Sequence, residues 1–106
     1  MIIANWKMNG TSENVRIWIE QVSNNLDIKP EKVCVFCPPA CYLEFARDLI
    51  RNHKSQIKLG SQIINSSHDR ALTGGLSAAM LRDIDTDFVL IGHSEQRLSL
   101  IHISEP

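Results

Sequence analysis

No long apolar run, no surplus of either charge and no even set of cysteines occurs in this 106-residue chain. A membrane-spanning helix needs about 20 consecutive apolar residues, and no stretch approaches that length. Eleven Lys and Arg stand against twelve Asp and Glu, for a net charge of -1. There is no basic excess to neutralise a phosphate backbone, so the chain is not expected to bind nucleic acid. A secretory leader is missing as well: Met1-Ile2-Ile3-Ala4 runs directly into Asn5-Trp6-Lys7 without a basic flank, and the start reads as a mature cytosolic N-terminus. The three cysteines, Cys34, Cys37 and Cys41, are odd in number and clustered, which argues against a disulfide framework. Cys34 and Cys37 have the spacing of a metal or redox pair. Strand positions three apart face opposite ways, however, and no second Cys or His pair has ligand spacing. Packed, reduced thiols and no metal are the expectation.

What is present is an alternation of two periodicities, within a length that admits one domain. Residues 1–5, 33–37, 57–62 and 88–91 are short apolar runs, read as strands buried on both faces. Between the first two, Val15, Trp18, Ile19, Val22 and Leu26 recur at helical spacing after a candidate cap at Ser12. Tyr42, Leu43, Ala46, Leu49 and Ile50 mark a second amphipathic helix, and residues 77–84 a short third one. Residues 63–76 form a long polar loop, of the kind that is functional or disordered. Strand and helix in alternation argue an α/β fold with a parallel sheet of right-handed crossovers. Two architectures satisfy that order: a small doubly wound sheet, or half of an eight-stranded barrel. No Gly-rich phosphate fingerprint follows the first strand, which weakens a dinucleotide-binding reading.

The polar residues gather at the predicted carboxyl ends of the strands, the rim where α/β folds bind ligands. Asn5 and Lys7, two apart, share a face at the end of the first strand, with Trp6 pointing into the core. Gln62 ends the third strand. The fourth stops at Gly92, which permits a sharp turn. His93 follows, then Ser94 as a candidate helix cap with Glu95 in the first turn, where a carboxylate suits the helix dipole. The second strand ends at Pro38 and contributes nothing polar. A lysine offers fixed positive charge to an anion, and a histidine can polarise a carbonyl or move a proton. Singly, each residue also has a plain structural reading: a solvated strand end for Lys7, loop capping for Asn5 and Gln62, a turn residue for His93.

Taken together, Asn5-Trp6-Lys7-Met8-Asn9-Gly10, Leu59-Gly60-Ser61-Gln62, Leu72-Thr73-Gly74, Ser77-Ala78-Ala79-Met80-Leu81 and Ile91-Gly92-His93-Ser94-Glu95 resemble the triosephosphate isomerase family, over residues 1–97. The resemblance implies the N-terminal half of a (β/α)8 barrel with four parallel strands. It also implies a cytoplasmic homodimer, no cofactor, and interconversion of dihydroxyacetone phosphate and glyceraldehyde 3-phosphate in glycolysis and gluconeogenesis. By the same resemblance, Lys7 binds the substrate phosphate and stabilises developing negative charge, and Asn5 binds substrate beside it. His93 polarises the carbonyl as a neutral imidazole beside a helix N-terminus, as is established for that family. Glu95 matches a glutamate that orients the lysine or relays a proton. Thr73, Gly74 and Gly75 fall in the loop that braces the partner subunit.

Departures from the family pattern carry expectations of their own. The family's general base lies on the sixth strand's loop, beyond residue 106, so the 106 residues alone are expected not to catalyse proton abstraction. Gly75 and Gln96 stand where a glutamate and an arginine are usual, which removes one ionic contact from the expected dimer without stranding a lone charge. Residues 98–106 show no helix face and do not resemble the family. They read as a foreign tail joined near Arg97, in the manner of translated adapter sequence, leaving both outer edges of a four-stranded sheet bare. Two other readings stay open: another phosphate-binding barrel, and a non-catalytic βαβ module in which Lys7 and His93 hold an anion.

Overall fold

The computed structural model describes residues 2–25, 33–63, 74–92 and 98–103. Strand β1 (Ile2–Asn5) leads to helix α1 (Ser12–Asn25). Strand β2 (Cys34–Cys37) passes through a 3-10 turn (Ala40–Tyr42) into α2 (Leu43–Asn52). Strand β3 (Lys58–Ser61), helix α3 (Ala78–Asp83), strand β4 (Phe88–Gly92) and strand β5 (Leu98–His102) follow. The five strands form one sheet in chain order. β1 to β4 run parallel, with Asn5 beside Cys37, Phe36 beside Leu59 and Gly60 beside Phe88. All four therefore end on the same rim.

Alternation along the strands sorts the core into two layers. Phe36 and Leu59 meet Val15 and Ile19 of α1, Leu43 and Ala46 of α2, and Leu81 of α3. Val35, Cys37 and Leu90 pack on the opposite face, with Val33 and Phe88 against them. β2 is buried at every position, as its unbroken apolar sequence requires. Trp6 belongs to the helix-side layer: its ring meets Phe36 edge-on at 5.0 Å and Trp18 at 6.1 Å, while Trp18 stacks on Phe36 at 4.5 Å.

The helix starts show how local chemistry sets boundaries. α1 is capped by Thr11, one residue before the expected Ser12: its carbonyl accepts the first helical bond from Val15 N–H at 3.0 Å, and its hydroxyl accepts from Asn14 N–H at 3.1 Å. The cap of α3 is Ser77, whose hydroxyl accepts from Met80 N–H at 3.2 Å. Among the described residues no helix is long and apolar enough to cross a membrane.

The outer edge of β4 is not bare. β5 pairs with it antiparallel from Phe88 opposite His102 to Gly92 opposite Leu98. Ile103 N–H continues the ladder to Asp87 O at 2.9 Å. The absence of a helix face in this segment reflects an extended pattern, with Ile101 and Ile103 β-branched, and an unpaired strand edge is a ready template for such a segment. The outer edge of β1 has no strand beside it among the described residues.

Beside the buried side chains of β2, β3 carries a glycine, Gly60. A methyl group there would stand 2.6 Å from Cys37 Sγ and 3.0 Å from Val35 Cγ1, both in side chains that are fully buried. Gly60→Ala is expected to lower the unfolding free energy by about 1–3 kcal/mol, the usual cost of overpacking, read from the urea midpoint. Cys37→Ala in the same chain removes the closer of the two contacts, and the pair should show coupling in a double-mutant cycle.

Candidate functional site

The rim at the carboxyl ends of β1, β2 and β3 is built around one turn. After Asn5 the ladder runs one bond further, Trp6 N–H donating to Cys37 O at 3.0 Å. Lys7 then adopts a left-handed backbone with φ 54°, a conformation that costs a non-glycine residue roughly 1–2 kcal/mol. Both of its backbone polar groups are held by side chains. Its N–H donates to Asn5 Oδ1 at 3.0 Å, and its carbonyl accepts from Gln62 Nε2 at 2.9 Å. The same Gln62 nitrogen donates to Cys37 O, also at 2.9 Å.

The rest of the loop is pinned from other directions. Asn9 Nδ2 donates to Trp6 O at 3.2 Å, and the Tyr42 hydroxyl donates to Gly10 O at 3.3 Å. Gly10 has φ 109°, and a methyl group on it would stand 2.7 Å from the Trp6 ring; the turn passes so close over the indole that only glycine fits. Gln62 is itself steadied by the buried Ser61, whose hydroxyl donates to Ile63 O at 2.7 Å and accepts from Ile63 N–H at 3.2 Å.

Asn5, Lys7 and Gln62, the polar residues expected at the rim, are thus brought together. Asn5 and Gln62 brace the loop, the plainer of their two readings. Lys7 is exposed, and among the described residues no carboxylate lies within ion-pair distance of its ammonium. That leaves a positive charge at the mouth of the sheet, facing solvent and able to receive an anion. The second strand contributes more than expected: Cys37 supplies a carbonyl that accepts from both Trp6 and Gln62. Ser61 and Tyr42 were not expected to brace the rim: Ser61 was named only within the stretch 59–62 and Tyr42 only on the apolar face of the second helix. A Ser two residues before Ile63 is a known turn-forming arrangement, whereas nothing local marks Tyr42.

His93 and Glu95 lie outside the described residues, as do Ser94, Gln96 and Thr73. Gly74 and Gly75 are described. Gly74 has φ 83°, and a methyl group on it would meet nothing within 4 Å.

The three cysteines are free thiols, Cys34 and Cys37 buried and Cys41 exposed. Burial raises the Cys34 pKa, and burial together with the neighbouring Cys34 pushes the Cys37 thiol up to about 12. Neither is a ready thiolate. A thiol reagent at pH 8 should label Cys41 at once and the buried pair only on unfolding, as mass spectrometry would show. The raised folded pKa means that the stability linked to Cys37 is intact below its ordinary value of 9.0 and is lost as pH climbs towards about 12, because only the unfolded chain ionises freely there.

A family model described as triosephosphate isomerase matches residues 1–105, a span that runs past residue 97, where the resemblance was expected to stop. Among curated proteins, the triosephosphate isomerase of Buchnera aphidicola subsp. Cinara cedri is 36% identical over 101 residues, covering 93% of this chain and 39% of its own length. That of Polynucleobacter necessarius is 34% identical over 100 residues, covering 92% and 40% respectively. That of Chlamydia muridarum is 38% identical over 97 residues, covering 91% and 35%. The chain therefore spans about two fifths of the length of the curated relatives it matches.

Proposed function

This chain belongs to the triosephosphate isomerase family, its parallel β/α order being that of the N-terminal half of an α/β barrel, and on that premise we propose that it carries the phosphate-binding and carbonyl-polarising share of an isomerase site. The substrate pair is dihydroxyacetone phosphate and D-glyceraldehyde 3-phosphate, exchanged in glycolysis and gluconeogenesis in the cytoplasm. The observation that supports this reading is the braced, left-handed turn that presents Lys7 at the carboxyl ends of the parallel strands.

Each residue has a distinct part in the proposal. The Lys7 ammonium holds the phosphate and stabilises negative charge as it develops on the substrate. Asn5 has an amide nitrogen with no partner among the described residues, so it can donate to substrate while its oxygen holds Lys7. His93, one peptide bond past the end of β4, donates to the carbonyl oxygen and so acidifies the neighbouring C–H. Glu95 orients Lys7 or relays a proton. Thr73, Gly74 and Gly75 belong to the loop that meets a second subunit. The reaction moves a proton between adjacent carbons and calls for no cofactor. It does call for a base at the substrate carbon, and in this family that is a glutamate on the sixth strand's loop. The 106 residues supply the electrostatic side of the site without that base.

Two measurements test the reading. The purified 106-residue polypeptide should show no isomerisation above a control for contaminating enzyme, and turnover would refute the division of labour. Titration with glycerol 3-phosphate should shift the Lys7 and Asn5 amide resonances. Lys7→Met should weaken that binding about 10- to 100-fold, the worth of one charge-assisted hydrogen bond. If a chain extended to the length of its relatives binds the ligand without turnover, a non-catalytic anion-binding module becomes the better account.

A further inference from the structure

We propose that Gln62 is a positioning residue for Lys7: its side-chain amide holds the lysine's left-handed backbone in place, and so directs the ammonium, without touching the ligand. The proposal rests on reading Lys7 as the phosphate-binding cation.

The chemistry is that of a primary amide with two N–H groups and two carbonyls to meet. Gln62 Nε2 stands 2.9 Å from Lys7 O and 2.9 Å from Cys37 O. Cys37 is fully buried at the end of β2, paired with Asn5 of β1, so it is a fixed reference. Gln62 follows directly on Ser61, also fully buried and tied to Ile63. The amide therefore registers the Lys7 carbonyl against two strands at once. At the other side of the same residue, Asn5 holds the N–H. A left-handed lysine persists only where its surroundings over-determine it, and these two side chains are what does so. Releasing the carbonyl lets Lys7 relax to a negative φ, which swings its Cα–Cβ bond away from the present direction.

Other side chains cannot do this. Leucine fills similar space with no donor, an ionised glutamate offers only acceptors to two carbonyls, and asparagine is one methylene short.

The test uses the isotope-labelled 106-residue chain in solution. A residue at positive φ gives a strong intraresidue HN–Hα Overhauser effect, so Lys7 carries its own signature. In Gln62→Leu that signal should fall to the level of its neighbours while the amide shifts of Val35, Phe36 and Leu59 stay in place. An unchanged Lys7 signal in the folded variant overturns the proposal. If Gln62→Leu does not fold, the wild-type chain decides. Scalar coupling across the hydrogen bonds from Gln62 Nε2 to the carbonyl carbons of Lys7 and Cys37 supports the pin, and its absence overturns it. Inorganic phosphate provides the second arm. Wild-type binding, read at Lys7, should weaken about tenfold in Gln62→Leu, as follows if the competent backbone falls to roughly one tenth of the population. If the Lys7 signal depends on Gln62 but phosphate shifts nothing in the wild type, the pin stands and the phosphate reading of Lys7 fails. If phosphate binds and the Lys7 signal ignores Gln62, the reverse holds.

Discussion

A charged residue in a backbone conformation that L-amino acids avoid is the constraint on which this site depends. Lys7 could present its ammonium from an ordinary extended strand end at no conformational cost. It is instead turned into the left-handed region, and the cost is met by the hydrogen bond its N–H donates to Asn5, the one its carbonyl accepts from Gln62, and the close seating of Gly10 over Trp6. Each of these depends on the parallel sheet. Asn5 is the last residue of β1, Gln62 stands one residue past β3, and Trp6 reaches the core through Phe36. Shifting any of the three strands by one register position would move the polar groups to the wrong face.

The sheet serves the rim in two ways. Its helix-side layer, from Val15 to Leu81, fixes how the strands lie against α1, α2 and α3. In its opposite layer the side chains of Cys37 and Val35 fill the space beside position 60 so fully that a glycine is required there. Two residues further along, at the strand end, Gln62 reaches Cys37 O and Lys7 O together. Packing on one side of the sheet and hydrogen bonding at its end are thus linked through a few residues of β3.

Much of this was legible in the chain because the signals are local and periodic. The apolar runs marked the four parallel strands to within a residue or two, and the spacing of Val15, Trp18, Ile19 and Val22 gave the buried face of α1. The candidate rim residues Asn5, Lys7 and Gln62 could be picked out by their place after apolar runs. Three kinds of feature were not legible. The cap of α1 falls on Thr11 and not Ser12, because adjacent hydroxyl residues look alike until the first helical bond is seen. The bonds from Gln62 to Lys7 and Cys37 join residues far apart in sequence, and no pattern along the chain announces them. β5 is the third: its residues carry an extended pattern and no helix face, and the partner for that pattern, the free edge of β4, exists only in the fold.

Cys37 takes part in the rim only through its carbonyl, which accepts from Trp6 and Gln62 together. What orients that carbonyl is the torsion between Cα and the carbonyl carbon, and the next residue is the buried Pro38. A pyrrolidine ring sterically bars the preceding residue from helical torsions and keeps it extended. The proline therefore acts as a rotational stop for an acceptor two steps removed from any ligand. The thiol at position 37 is interchangeable as far as the rim is concerned, whereas the imino acid after it is not, although of the two only the thiol has any reactivity of its own.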